Sequence, residues 1–106
     1  MAQQTKMNAK YVNNGIVISP AVLAKGETAK VVYNGLLAQS GAEKVYIRIG
    51  FGEEWKKAND YRMIRTDQGF EASVPVAIAN TMNICFKDNA NNWDNNSGVN
   101  YSFSVI

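Results

Sequence analysis

Phe70-Glu71-Ala72-Ser73-Val74-Pro75-Val76-Ala77-Ile78 is the stretch on which the fold turns. Its apolar residues at 70, 72, 74, 76 and 78 recur with period two, and a backbone that sends successive side chains to opposite faces is a strand. One face is therefore made for a core, the other for solvent.

The same alternation appears on both sides of this stretch. Upstream, Ala29, Val31 and Tyr33 alternate with Thr28, Lys30 and Val32, and Val45, Ile47 and Ile49 alternate with Lys44, Tyr46 and Arg48. Downstream, Met82, Ile84 and Phe86 alternate with Asn83, Cys85 and Lys87, and Tyr101, Phe103 and Val105 with Ser102 and Ser104. Two weaker strands fit 12–18, where Asn13-Asn14-Gly15 bends the run, and 61–66. About seven short strands with Gly, Asn or Pro between them predict an all-β fold, an antiparallel two-sheet β-sandwich of immunoglobulin type. Glu53 to Asn59 reads as a short helical turn, too short for a helix of its own. The pattern divides the chain into a flexible N-terminal arm over 1–9 and a single sandwich domain over 10–106.

Composition narrows what such a domain does. The chain has 106 residues, enough for one domain with one core, and 46% of them belong to the hydrophobic set. Eleven Lys and Arg against nine Asp and Glu leave a formal charge of +2. There is no block of like charge, so neither a nucleic-acid nor a membrane partner is expected. Cys85 is the single cysteine and histidine is absent. That excludes an internal disulfide, His-based zinc sites, Ser-His-Asp triads and Cys-His dyads. Cys85, with no histidine to activate it, reads as inert. No cofactor or metal is expected. Asp88 and Asp94 could hold Ca²⁺ in the 88–96 loop, but the EF-hand ligand order is missing and Asx turns explain the loop without metal. The first ten residues are polar, which leaves the compartment open: cytoplasmic if Met1 is the native start, extracellular if this is an excised module.

Thirteen asparagines and two tryptophans carry the functional signal. Asx side chains bond to nearby backbone and tolerate left-handed conformations, so the run 88–96, Asp-Asn-Ala-Asn-Asn-Trp-Asp-Asn-Asn, reads as a structured loop. Trp55 and Trp93 both sit in polar loops, framed by amides, carboxylates and lysines. One reading folds each ring back to cap the end of the core. The other leaves a flat apolar surface rimmed by hydrogen-bonding groups, which suits a pyranose: C–H bonds on its face, hydroxyls around its edge.

Two segments then match a family. Val45-Tyr46-Ile47-Arg48-Ile49-Gly50-Phe51 runs on to Trp55. The second segment, Phe86-Lys87-Asp88-Asn89-Ala90-Asn91-Asn92-Trp93-Asp94-Asn95-Asn96, leads into Gly98-Val99-Asn100-Tyr101. The chain thereby resembles the starch-binding carbohydrate-binding modules of families 25 and 53 over about residues 25–106. The resemblance implies a β-sandwich that binds α-1,4-glucan (starch, glycogen or maltooligosaccharides) without catalysis and anchors an attached or partner amylase-type enzyme. Trp55 and Trp93 would stack on successive glucoses as an angled platform, and Asn95 and Asn96 would bond the 2- and 3-hydroxyls. Family members often carry a histidine where Arg48 stands; a guanidinium donates but cannot accept, which changes the hydroxyl pattern it reads. The alternative for Arg48 is a surface ion pair with Glu43 or Glu71. Tyr46, on the face of Arg48, with Asp94 and Lys57 beside the tryptophans, completes the candidate set. The rival reading is an immunoglobulin-like assembly module whose tryptophans anchor a protein partner. A small glycosidase using Glu53, Glu54 and Asp94 is disfavoured, because sequence neighbours diverge rather than face each other across a sugar.

Overall fold

A computed structural model describes residues 10–12 and 14–106 of the chain, with side chains from Asn14 onward. The arm expected over 1–9 lies outside the described residues. Two antiparallel sheets face each other across one core. The first carries, in spatial order, β1 (Lys10–Val12), β2 (Ile16–Ser19), β3 (Thr28–Tyr33), β7 (Gly69–Pro75) and β6 (Ile64–Thr66). In the second, β5 (Lys56–Arg62) pairs with β4 (Val45–Phe51), β4 with β8 (Met82–Asp88), and the far edge of β8 is shared by β9 (Trp93–Asp94) and β10 (Tyr101–Phe103). One short helix, α1 (Leu36–Gln39), leaves β3 and packs beside β8 and β9.

The core is built by the alternating residues. Ile16, Ile18, Ala29, Val31, Tyr33, Phe70 and Val74 on the first sheet meet Val45, Ile47, Ile49, Phe51, Met82, Ile84 and Phe86 on the second, all buried. The antiparallel β-sandwich is the architecture the alternation predicts. Its runs are broken into ten strands among the described residues. The weak 12–18 run is a hairpin, with Val12 opposite Ile16. The run at 61–66 crosses between sheets: Met63 is buried at the corner and donates its N–H to the Val45 carbonyl, after which β6 joins β7.

Two expectations are corrected. Residues 56–62 form strand β5 rather than a helical turn, with only 52–55 turning. β5 is an edge whose exposed Lys56, Lys57, Asn59, Asp60 and Arg62 conceal its period; such charge is how sheet edges discourage pairing with other chains. Trp93 likewise belongs to a strand. Phe86 pairs with Asp94 and Ile84 with Tyr101, so residues 95–100 leave the sheet edge opposite Cys85 and return to it. The loop at the centre of the candidate site is an excursion from one edge strand.

Candidate carbohydrate-binding face

The outward residues of the second sheet form three rows, each set by strand register. At one end Gly50 lies beside Asn83, and Asn83 beside Ser102. In the middle Asp60, Arg48 and Cys85 are neighbours. At the other end Arg62, Tyr46, Lys87 and Trp93 follow one another across the strands.

Trp55 joins the first row from the turn after β4. A Cβ on Gly50 would lie 2.5 Å from Cε3 of Trp55 and 3.0 Å from its Cα, so the ring packs directly over the backbone at Gly50. Only glycine allows that approach. Asn83, which donates to the Gly52 carbonyl (2.9 Å) and accepts from the Ser102 hydroxyl (2.7 Å), braces the turn. Trp93 stands at the opposite end with 45% of its surface exposed. Asn83 and Lys87, the two β8 residues beside the tryptophans, are four positions apart, which separates the rows by about 13 Å at the rise of a strand. Neither ring belongs to the core cluster of the described residues.

Between them Arg48 donates to Asp60 at 2.9 Å, with both side chains partly exposed. The pair expected with Glu43 or Glu71 does not form: Asp60 is directly across the β4–β5 ladder, and Glu71 sits on the other sheet beside Lys30. An exposed pair of this kind is worth only about 0–1 kcal/mol, so little holds the guanidinium in it. Cys85 lies beneath it at 5% exposure. Burial pushes its thiol pKa up despite the Arg48 charge, which keeps it protonated and unreactive.

The excursion is held from within. Asn95 accepts the Gly98 N–H on its Oδ1 (3.0 Å) and the Asn100 N–H on its carbonyl (2.7 Å), while Asn96 Nδ2 donates to the Asn100 carbonyl (3.1 Å). Asn96, Ser97 and Asn100 take φ of 54°, 57° and 64°, which asparagine tolerates better than most residues. The two asparagines therefore differ. Asn95 is exposed and its Nδ2 has no partner among the described residues, whereas Asn96 has its Nδ2 engaged and its Oδ1 facing Asn14 Nδ2 at 3.4 Å.

Asp94, expected on the rim, is instead beneath it at 6% exposure. Tyr33 donates to Oδ2 at 2.6 Å and Tyr101 to Oδ1 at 2.8 Å. Tyr33 in turn accepts the Leu37 N–H (3.0 Å), so one carboxylate ties together both sheets, α1 and the root of the excursion. Burial pushes the Tyr101 hydroxyl up to about 12, opposed by the Asn14 hydrogen bond and assisted by Asp94; burial and then Asp94 raise Tyr33 further. Lys57 is exposed at the β5 bulge with φ of 54°, where the ladder shifts register across from Gly50. Tyr46 is half-buried among Asp60, Arg62 and Lys87.

On sequence alone Lys87 reads as a solvated surface lysine. Its Nζ lies 5.4 Å from the Trp93 ring centroid, a cation–π contact that places an ammonium at the ring face. Alternation turns Lys87 outward, but its place beside Tyr46 and Trp93 comes from strand register. At the other end of the loop, Asp88 accepts from the Ala90 and Asn92 N–H groups and the Asn92 side chain, all at 2.9 Å. Those bonds, the Asn92 side chain's first, hold its carboxyl below the ordinary range.

Such a face offers two separated apolar rings and a mixed donor and acceptor strip, which is chemistry for a long neutral polyhydroxyl ligand. The model of a starch/carbohydrate-binding module family (family 53) matches residues 29–84, a span that contains Tyr46, Arg48, Trp55 and Lys57 and ends before Trp93. An alpha-amylase of Clostridium acetobutylicum is 31% identical over 85 residues, covering 78% of this chain and 11% of the amylase. The chain thus spans about a ninth of the length of that relative. No solved structure matches.

Proposed function

Because the chain belongs to family 53 of the starch- and carbohydrate-binding modules, a family of noncatalytic binding modules, we propose that the outer face of its second sheet binds a single α-1,4-glucan strand between Trp55 and Trp93. The observation that carries this reading is the placement of both rings outside the core, at opposite ends of one sheet face with Arg48 between them. Each ring takes the C–H face of a glucose. Arg48 and Lys87 donate to hydroxyls, Asp60 accepts, and Asn95 supplies an amide that does either. Tyr46 extends the surface beside Trp93. Asn96 and Asp94 act by shaping the loop, and Lys57 contributes charge at the periphery. The similarity to a stretch of an alpha-amylase supports the further reading that such a module holds an amylase-type catalytic domain on its polysaccharide.

Affinity electrophoresis in gels with soluble starch tests this. Trp55→Ala and Trp93→Ala should each weaken binding about 30-fold, roughly 2 kcal/mol, with melting temperature nearly unchanged. Maltopentaose should compete and cellopentaose should not, since a flat β-linked ribbon and a coiled α-linked chain present their rings at different angles. Migration of the unmodified protein that starch does not retard, or retardation that neither substitution relieves, refutes the reading.

A further inference from the structure

Trp93 is shared by a second surface. A groove of about 520 Å³ runs between α1 and the excursion, with Leu36 and Gln39 on one wall, Asn95, Asn96 and Ser97 on the other, and Trp93 at the junction. It shares Trp93 and Asn95 with the outer face, but none of Arg48, Tyr46, Lys87 or Trp55 lines it. Its size falls in the range of small-ligand sites, about 300–1,000 Å³. Its chemistry is specific in one respect: the lining combines exposed apolar surface, Leu36 at 60% and Trp93 at 45%, with uncharged amides. The one charged lining residue, Asp94, has both carboxylate oxygens occupied by tyrosine hydroxyls. Gln39 donates its Nε2 to Asn34 (3.3–3.4 Å), which leaves its Oε1 without a partner among the described residues, as is Asn95 Nδ2 on the facing wall. An acceptor and a donor therefore belong to a groove that also carries exposed apolar surface and whose one carboxylate is already hydrogen-bonded. Apolar surface edged by amide donors and acceptors suits a sugar ring.

We propose that this groove is a second α-glucan subsite, continuous with the first through Trp93, which takes a second strand lying beside the one on the outer face. The inference rests on glucan binding by that outer face. Two sources present such a second strand: a branch joined through an α-1,6 linkage, and the companion chain of a glucan double helix. In the branched case the second contact is made within one molecule, so it adds to affinity without a second loss of overall freedom, by roughly tenfold for a weak subsite.

Calorimetry with three probes separates the possibilities. Maltoheptaose is the linear reference, maltoheptaose carrying an α-1,6-linked maltotriosyl branch is the branched one, and insoluble double-helical amylose is the duplex. The unmodified protein should bind the branched probe about tenfold more tightly than the linear one. Leu36→Ser and Gln39→Ala, both at exposed positions, should abolish that difference while maltoheptaose affinity stays within about twofold and melting is unchanged. If the variants instead lose adsorption only to double-helical amylose, the second strand is the duplex companion. Equal affinity for linear and branched probes, with no effect of either variant on amylose, overturns the proposal. So does a variant that weakens linear and branched binding equally, because the groove would then be part of the first site. Absence of maltoheptaose binding by the unmodified protein is a separate result, which overturns the outer-face reading and this one with it.

Discussion

Replacing Tyr33 by phenylalanine removes one oxygen and keeps everything else, and the structure assigns that oxygen two buried partners. Its hydroxyl donates to Asp94 at 2.6 Å and accepts the Leu37 N–H at 3.0 Å. The ring itself, stacked on Phe86 with centroids 4.0 Å apart, has no reason to move. The loss is then that of one hydrogen bond to a charged group, about 1.5–3 kcal/mol, together with a stranded N–H at Leu37, about 1–3 kcal/mol. Because the two share one hydroxyl they do not simply add, and about 3 kcal/mol is the working figure. For a domain of this length that corresponds to a fall of about 12–24 °C in melting temperature, read by calorimetry at neutral pH. The excursion at 95–100 springs from Asp94, so its looser root should also weaken glucan binding about fivefold, the cost of ordering it on the ligand. Asp94→Asn keeps one acceptor oxygen for two hydroxyls and should fall between wild type and Tyr33→Phe. The same pair limits the fold at high pH. Both hydroxyl pKa values are raised, so their contribution is complete below the ordinary tyrosine value near 10 and is lost as pH climbs toward the Tyr101 value of about 12. Tyr33→Phe should therefore lose less of its remaining stability between pH 9 and 12. A melting temperature within about 5 °C of wild type would refute the argument, because it would mean that the hydroxyl carries little of what the geometry assigns to it.

This network explains why the sandwich was legible in the sequence and the role of Asp94 was not. Alternation reports burial on one face, so it located β3, β4, β7 and β8, whose inward residues have nowhere else to go. It failed at β5, where only Ala58 and Tyr61 are half-buried and the rest of the strand is exposed. It failed again at β9, where two residues are too few to show a period. Asp94 looked like a rim group because its sequence neighbours are polar; its partner Tyr33 is 61 residues away and on the other sheet. Trp55 and Trp93 could be singled out from local context, yet their common face depends on the register of β4 against β8, which no local signal carries. Lys87 reads as merely solvated for the same reason: its meaning comes from lying beside Trp93, a cross-strand neighbour.

Three further outcomes are expected. Since hydrogen bonds from Asn92 and Ala90 depress the Asp88 pKa, its stabilising contribution is present above the ordinary carboxylate value near 4 and lost as pH falls through the depressed one; Asp88→Asn should show a smaller drop in melting temperature between pH 6 and 3 than wild type. With no histidine in the chain, glucan affinity should stay flat between about pH 5 and 8, and a tenfold change by calorimetric titration would put a carboxylate at the centre of binding. The last concerns Gly50, which lies under the Trp55 ring and offers a glucan no side chain of its own. Its added Cβ would meet not only a movable ring atom of Trp55 at 2.5 Å but the Trp55 backbone at 3.0 Å, so a rotamer change cannot relieve the clash and the turn itself must shift. Gly50→Ala should thus cost about 1–3 kcal/mol in stability as overpacking does. It should also weaken starch binding nearly as much as Trp55→Ala, with no further loss in the double variant, because both changes remove the same ring from the platform. Additive losses in the double variant would show that Trp55 keeps its place when Gly50 is filled, and that its position does not depend on the bare backbone beneath it.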